Sequence, residues 1–164
     1  MMITTRATAI SIPLVLGLLV GCSSVSPLST VTKLDLVLTA SEQLNPDLHG
    51  RPSPVVVQLL ELTHPVAFEH ADFFSLYGRG ERALSKDWVS SEELELRPGE
   101  RQVLKLKVEP QSRYVGVLAA YRDLPHVQWR FVVPLAPRQL TRSHLLLDQA
   151  GIRAVSPHPS QGEN

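Results

Sequence analysis

Glu92-Glu93-Leu94-Glu95-Leu96-Arg97-Pro98-Gly99-Glu100 is the stretch that decides the fold. Its leucines alternate with charged residues, and after the turn the alternation resumes at Leu104, Leu106 and Val108. A period of two is typical of strands with one buried face. Pro98-Gly99 favours a type II turn, because proline fixes φ at the first central position and glycine supplies the positive φ of the second. We therefore predict a β-hairpin over residues 93–109, whose outward Glu and Lys side chains have opposite charges and are placed to pair across the strands.

The rest of the chain repeats this strand pattern at short intervals. Leu34, Leu36 and Leu38 alternate with polar residues from Lys33 onward, and residues 55–62 are mostly β-branched and aliphatic. Many short strands separated by turn signals at roughly 8–12-residue spacing argue for an all-β fold, a two-sheet antiparallel β-sandwich. Further strands are predicted at residues 114–121, 127–133, 145–147 and 152–155, with a turn at 122–125.

One segment departs from the strand pattern. Between residues 66 and 77, Phe73, Leu76 and Tyr77 have the i, i+3, i+4 spacing of a helix, and Gly78 follows where a left-handed C-terminal cap would lie. We predict a short helix whose aromatic side chains, among them Phe68 and Phe74, pack in the core. Residues 83–91 are predicted to be irregular or a single turn, held by burial of Trp88.

The N-terminal segment indicates where the protein is located. Arg6 precedes an apolar run at residues 10–20, which has the length of a signal peptide and falls short of the ~20 residues that cross a bilayer. Leu19-Val20-Gly21-Cys22 looks like the bacterial lipobox, in which the cysteine is lipidated and the peptide is cut just before it. Cys22 would then be the first mature residue, and two or more acyl chains give a stable membrane anchor.

The predicted organisation has four parts: a lipoprotein signal peptide at 1–21, a lipidated tether at 22–31, a β-sandwich domain at 32–155 and a flexible tail at 156–164. Lys and Arg number 16 against 16 Asp and Glu, so the charge balance suggests neither nucleic acid nor an anionic membrane surface as a partner. The single cysteine is assigned to lipid. It therefore leaves no thiol for a disulfide, a thiolate zinc site or nucleophilic catalysis.

The loop between the first two predicted strands is the leading candidate contact surface. Residues 40–54 contain Asn45-Pro46-Asp47, Gly50, Pro52 and Pro54, a density of turn formers that blocks regular structure. Loops this far above the median length often serve binding. The alternative interpretation is that the loop is only a mobile connection.

The sequence argues against two other classes of function. The six histidines are scattered and Gly-x-Ser-x-Gly and His-Glu-x-x-His motifs are absent, so we predict no enzyme, no cofactor and no metal site; His64 and His70 are interpreted as surface or turn histidines. A lipoprotein that binds a small ligand or a cell-wall fragment would need a groove lined with exposed aromatic residues. Aromatics make up only 5% of the chain, although Trp88, Tyr114 and Trp129 stay open as candidates.

Four segments carry a resemblance to a known family. They are residues 51–57, the Asp-Phe-Phe-Ser-Leu-Tyr run within 71–77, the Leu-Arg-Pro-Gly-Glu turn within 92–100, and 114–123. In order along the chain, from the lipobox to about Val133, they resemble the type VI secretion outer-membrane lipoproteins, the TssJ or SciN family; the region after Pro134 matches no motif of it.

This resemblance implies a transthyretin-like sandwich with an added helical element and a structural, non-catalytic role in the secretion membrane complex. It also implies an outer-membrane location facing the periplasm, in agreement with Ser23 at the position where an aspartate would resemble an inner-membrane retention signal. The partner it implies is the periplasmic C-terminal domain of the inner-membrane protein TssM, bound through the loop between the first two strands. In this chain the loop residues are Asn45, Pro46, Asp47, Leu48, His49, Gly50 and Arg51.

Overall fold

The computed structural model describes residues 31–156. The predicted signal peptide, Cys22, most of the predicted tether and most of the tail lie outside these residues. Within them, the chain forms two four-stranded sheets, ordered β4-β1-β7-β8 and β3-β2-β5-β6, and two helices. The elements are β1 (Lys33–Ala40), β2 (Val55–Leu62), α1 (Val66–His70), α2 (Phe73–Leu84), β3 (Trp88–Leu96), β4 (Arg101–Lys107), β5 (Tyr114–Ala119), β6 (Arg130–Pro134), β7 (Leu140–Asp148) and β8 (Gly151–Ala154). The predicted sandwich with a helical insertion is confirmed.

The sheet that contains β1 has one pairing that the sequence did not indicate. β1 runs antiparallel to β4, with Leu34 opposite Leu106, but parallel to β7, with Leu34 opposite Thr141. All the other strand pairs described are antiparallel. β1 is thus an inner strand with a neighbour on each side.

The predicted hairpin at residues 93–109 is wrong, although its turn is correct. Glu100 N donates to Arg97 O at 3.0 Å, and Gly99 has a φ of 75°, as a type II turn requires. The two arms, however, belong to different sheets, because β3 pairs with β2 and β4 pairs with β1. The turn is an arch between the sheets.

The physical reason is that alternation records which face of a strand is buried and not which strand lies beside it. Leu94 and Leu96 of β3 and Leu104 and Leu106 of β4 all pack in the same core between the sheets. The outward side chains of the two strands therefore lie on opposite faces of the sandwich. The predicted Glu–Lys pairing across a hairpin does not form.

Two hydrophobic cores share one sheet. The larger lies between the sheets, and the smaller lies between the β3-β2-β5-β6 sheet and the helices. β2 contributes to both: Val57 and Leu59 face the first core, and Leu60 and Leu62 face the second. This explains why β2 is apolar along nearly its whole length.

The helical insertion is longer than predicted. α2 is capped at its start by Asp72, whose Oδ1 accepts from Ser75 N at 3.0 Å, and it continues past Gly78 to Leu84. The predicted cap at Gly78 is therefore wrong; a kink with non-helical angles at Arg79 follows instead. The stretch predicted as irregular holds the end of α2, a 3₁₀ turn at Ser85–Asp87 and the start of β3.

Aromatic packing in this layer follows the prediction at most positions. Phe68 is fully buried and lies so close to Gly116 that a Cβ there would come within 2.9 Å of its ring. Trp88 packs on Gly80 in the same way. Phe74, in contrast, is 73% exposed, so its predicted place in the core is wrong. None of the helices described is long and apolar enough to cross a membrane.

The strands run between two ends of the sandwich that differ in what they carry. β1 begins where Lys33 N donates to Gln139 O and Val108 N donates to Thr32 O; we call this the entry end. β1 finishes at the opposite end, which we call the loop end. The β1–β2 loop (residues 41–54), the β3–β4 arch, the β5–β6 connection (residues 120–129) and the β7–β8 turn lie there.

Candidate functional site: the β1–β2 loop and its cleft

All seven loop residues predicted as a site lie together at the loop end. The loop is not uniform in exposure, because Leu44 and Asn45 are buried at its base whereas Leu48 is fully exposed at its tip. Among the large apolar side chains that the structure describes, Leu48 is the most exposed.

Asn45 fixes the base of the loop. Its Nδ2 donates to Pro54 O at 2.9 Å, and its Oδ1 accepts from the backbone N of Arg122 at 2.9 Å. Its carbonyl oxygen accepts from Ser53 Oγ at 2.6 Å. Asn45 also has a φ of 45°, a left-handed conformation that asparagine adopts more readily than most residues. One buried side chain thus ties the loop to itself and to the β5–β6 connection.

Asp47 organises the tip. Its Oδ1 accepts from His49 N at 2.8 Å and from Arg51 N at 3.0 Å, and its Oδ2 accepts from Arg51 Nε at 2.8 Å. The Arg51 side chain is the main reason why the pKa of Asp47 is lowered, and the backbone N–H groups of Arg51 and His49 act in the same direction. Gly50, with a φ of 75°, lets the chain turn back so that Asp47 N donates to Arg51 O at 2.9 Å.

An open cleft of about 620 Å³ lies beside the loop. One wall is the loop from Asn45 to His49. The residues on the other side, which sequence reasoning missed as site residues, are Tyr121, Arg122, Asp123, His126, Val127 and Gln149. The register of β2 against β5 brings residues 121–127 to the loop, since Val57 pairs with Ala119. Gln149 reaches it through the parallel pairing of β1 with β7, in which Ala40 lies opposite Leu147. Residues 122–125 were predicted only as a turn, and their place in a site depends on a pairing that the local pattern does not reveal.

The polar groups of the cleft differ in how they are paired. His126 Nδ1 and Asp123 Oδ1 lie 2.6 Å apart. Arg122 Nε donates to Ser53 Oγ at 3.1 Å. Tyr121 is buried, and within residues 31–156 its hydroxyl has no hydrogen-bond partner; burial, together with the charge of Asp148, raises the pKa of Tyr121.

The aromatic residues considered for a ligand groove lie elsewhere. Trp129 packs edge-on against Phe73, with ring centroids 5.3 Å apart, and Arg130 lies 4.3 Å above the Trp129 ring. Tyr114 lies beside His64 with 6.4 Å between ring centroids. Neither of these aromatic residues, nor Trp88, lines the cleft. Residues 31–156 contain no group of three or more His, Cys, Asp or Glu side chains placed to hold a metal ion.

The fold and site together define a two-sheet β-sandwich with helices inserted after the second strand and a braced loop beside an open cleft. Residues 32–150 match the family model T6SS-SciN, described as type VI secretion lipoprotein, VasD, EvfM, TssJ, VC_A0113, and the chain belongs to this family. The resemblance found in the sequence is thereby confirmed. The family is a component of the type VI secretion membrane complex and is not a known enzyme family. Among curated proteins, none matches this chain.

Solved structures agree with the assignment. The T6SS lipoprotein TssJ1 from Pseudomonas aeruginosa is 33% identical with a TM-score of 0.74, over 79% of this chain and 99% of that one. Serratia marcescens Lip, a membrane-bound component of the type VI secretion system, is 27% identical with a TM-score of 0.71, over 76% of this chain and 98% of that one. A chain in the structure of the T6SS protein TssM C-terminal domain from EAEC has the same fold at 22% identity, with a TM-score of 0.65, over 77% of this chain and all of that one.

Proposed function

We propose that this chain is an adaptor of the type VI secretion membrane complex. Acyl groups on Cys22 hold it at the outer membrane with the sandwich in the periplasm, and the β1–β2 loop binds the periplasmic C-terminal domain of the inner-membrane protein TssM. The observation that carries the proposal is Leu48, an apolar side chain that is fully exposed at the tip of a braced turn.

The bracing supports a binding role over that of a mobile connection. An exposed leucine on a disordered loop would lose much conformational freedom on binding, whereas a tip already held by Asp47 and Arg51 loses less. An apolar side chain presented in this way is suited to fill a pocket of a partner. A chain with this fold occurs in the structure of the TssM C-terminal domain from EAEC, which supports the choice of partner.

The direction of β1 supports the anchoring. The lipid would reach the sandwich through residues that join β1 at the entry end, and the loop follows β1 at the other end. The eight residues of β1 separate these two points by about 25 Å. A lipid-held sandwich would therefore carry its loop on the side turned away from the membrane.

Binding is the first test of the adaptor. The mature chain with Cys22→Ser, free of lipid, is titrated with the purified periplasmic C-terminal domain of the cognate TssM by calorimetry. We expect Leu48→Ala to weaken binding about ten-fold or more, because truncating a central apolar contact costs more than about 1.4 kcal/mol. Leu140→Ala is the matched control, since Leu140 is also partly exposed but pairs with Lys33 at the entry end. Equal affinities of the Leu48→Ala variant and the unsubstituted domain would overturn the loop assignment.

Membrane fractionation tests the anchor. With Cys22→Ser in the full-length chain, we expect the protein to fold and to leave the outer-membrane fraction of a density gradient, with loss of secretion. The unsubstituted chain in the same gradient is the reference. A Cys22→Ser protein that stays in the outer membrane and supports normal secretion would refute the anchor.

The small-ligand alternative has less support. The cleft is of a size that holds small molecules, but it is open to solvent. The aromatic residues predicted as candidates for such a groove, Trp88, Tyr114 and Trp129, pack against the second core instead.

A further inference from the structure

The charges that line the cleft do not all have partners inside the protein. Asp47 is paired with Arg51 at 2.7 Å, and Asp123 contacts the ring of His126 at 2.6 Å. Both carboxylates of the cleft are therefore already engaged. Arg122 makes no ion pair within the described residues, although its charge contributes to the lowered pKa of Asp47.

Arg122 is held in place through its backbone N–H and its Nε, and not through its two terminal guanidinium nitrogens. Its backbone N donates to Asn45 Oδ1, and its Nε donates to Ser53 Oγ. Within residues 31–156, its two terminal guanidinium nitrogens make no hydrogen bond and no ion pair. A guanidinium fixed at one edge and free at the other presents two parallel N–H donors, the arrangement that binds a carboxylate most tightly.

Tyr121, the residue just before Arg122 in the chain, provides a second unused donor. The residue is 4% exposed, it lines the cleft, and within the described residues its hydroxyl is unpartnered. A buried hydroxyl without a partner is unfavourable. Its oxygen is closed to solvent, so a group that enters from the cleft must displace neighbouring side chains to accept its hydrogen bond, and it would then be stabilised. Leu48, Pro46 and Val127 add apolar surface around these donors.

We propose that the cleft is a receptor for a carboxylate, the side chain of an Asp or Glu of the partner protein, bound by the Arg122 guanidinium with the Tyr121 hydroxyl as a second donor. That the carboxylate belongs to TssM rests on the function proposed above. The loop then supplies Leu48 as the apolar contact of the interface, and the cleft beside it selects for an acidic side chain.

A small-molecule probe tests the receptor without the partner. The lipid-free mature chain is titrated with N-acetyl-glutamate methylamide and, separately, with its neutral glutamine analogue, and backbone amide shifts are followed by NMR. We expect saturable shifts at Asn45 and Arg122 with the glutamate compound, and at least about ten-fold weaker binding of the glutamine compound. Equal binding of the two compounds, or no saturable shift, would overturn the proposal.

Substitutions test the named groups. Arg122→Met and Tyr121→Phe should each weaken binding of the glutamate probe, and Arg122→Lys, which keeps the charge but not the fork, should bind with intermediate affinity. Arg142→Met is the control, since Arg142 is exposed on β7 near the entry end. Unfolding midpoints confirm that each variant is folded. Unchanged affinity in a folded Arg122→Met or Tyr121→Phe variant would contradict the assignment.

The same variants separate this inference from the proposed function. In the titration with the TssM domain, we expect Arg122→Met to weaken binding about ten-fold and to reduce its dependence on salt, whereas Arg142→Met leaves both unchanged. Loss of binding in Leu48→Ala but not in Arg122→Met would overturn the receptor and leave the adaptor intact. If the domain binds the glutamate probe but does not bind TssM, the adaptor function would be overturned and the carboxylate receptor would stand.

Discussion

Gly151 shows how a single residue joins two parts of the loop end. It has a φ of 113°, and a Cβ at this position would lie 2.3 Å from the carbonyl oxygen of Gln128. The same carbonyl accepts from Ile152 N at 2.7 Å. The β7–β8 turn can therefore reach the β5–β6 connection, which lines the cleft, only because residue 151 has no side chain.

Gly151→Ala should destabilise the protein strongly, by about 1–3 kcal/mol for the backbone strain alone, with a further loss because the Gln128 backbone must move. Gly78→Ala is the control, because it is the same glycine-to-alanine substitution at a position with open space. Gly78 lies in α2 with nothing within 4 Å of its absent Cβ, so the alanine should stabilise by about 0.5–1 kcal/mol. Urea unfolding of the lipid-free chain measures both changes. A Gly151→Ala variant as stable as the unsubstituted protein would contradict the close approach.

At the scale of the element, the tip of the β1–β2 loop depends on the charge of one carboxylate. Hydrogen bonds from Arg51 hold the pKa of Asp47 below its ordinary value. Since the folded pKa is the lower one, the stabilisation that ionised Asp47 gives to the loop is fully present above the ordinary aspartate pKa, about 3.9, and is lost as the pH falls through the folded value.

We therefore expect the backbone amide resonances of His49 and Arg51 to titrate together, with a midpoint below the ordinary aspartate value, while the sandwich remains folded. An acid titration followed by NMR measures this midpoint. The transition should vanish from both amides in Asp47→Asn, which has no carboxylate to protonate. A midpoint at or above the ordinary aspartate value would show that Arg51 does not hold the carboxylate in solution.

The two helices are held on the sheet by a few aromatic side chains. Phe68 of α1 is fully buried against Gly116, whereas Phe74 of α2 is mostly exposed. Phe68→Ala should therefore cost about 3–5 kcal/mol through lost burial and a cavity, and Phe74→Ala should change stability by less than about 0.5 kcal/mol. Thermal or urea unfolding of the two variants makes the comparison. Equal losses would show that the docking of α1 is not as described.

The strands could be predicted from sequence where one face of a strand is buried. β2 spans the predicted residues and β1 begins as predicted, because their apolar patterns record contacts with the cores. The first half of β7, with Thr141 and Arg142, and the start of β3, with Ser90 and Ser91, are polar or partly exposed, so their pattern carried no such signal. The pattern around Pro98-Gly99 predicts a hairpin where the structure has an arch, because local alternation does not identify the neighbouring strand.

The candidate site could be predicted only in part. Turn chemistry singled out the residues from Asn45 to Arg51, since glycine, proline, Asn and Asp mark a long irregular loop. Arg122 and Tyr121 lie about 75 residues further along the chain and meet the loop through the pairing of β2 with β5. Nothing in their local sequence marks them as part of a site. The local pattern of residues does not reveal which distant strands pair, and that pairing is what brings them to the loop.

For the whole molecule, the shared sheet makes the two cores interdependent. β2 contributes apolar side chains to both cores, so the layer of helices cannot separate from the sandwich without exposing one face of β2. We expect unfolding of the lipid-free mature chain to be a single cooperative transition. Tryptophan fluorescence reports on Trp88 and Trp129 beside the helices, and far-ultraviolet circular dichroism reports largely on the strands. Two separate midpoints from these probes would contradict the coupling.

The course of β1 from the entry end to the loop end has a mechanical consequence. If the acyl groups on Cys22 are held and a partner pulls on the loop, the tension runs through the covalent backbone of residues 22–48, of which β1 is the central part. A strand is already close to the full reach of the chain, so it can lengthen very little before the backbone itself resists. The remaining strands lie outside this covalent path, and β4 and β7 are hydrogen-bonded to the two edges of β1. Under the proposed function, β1 would therefore carry the pull directly, and the hydrogen bonds of Asn45 would pass part of it to Pro54 and Arg122.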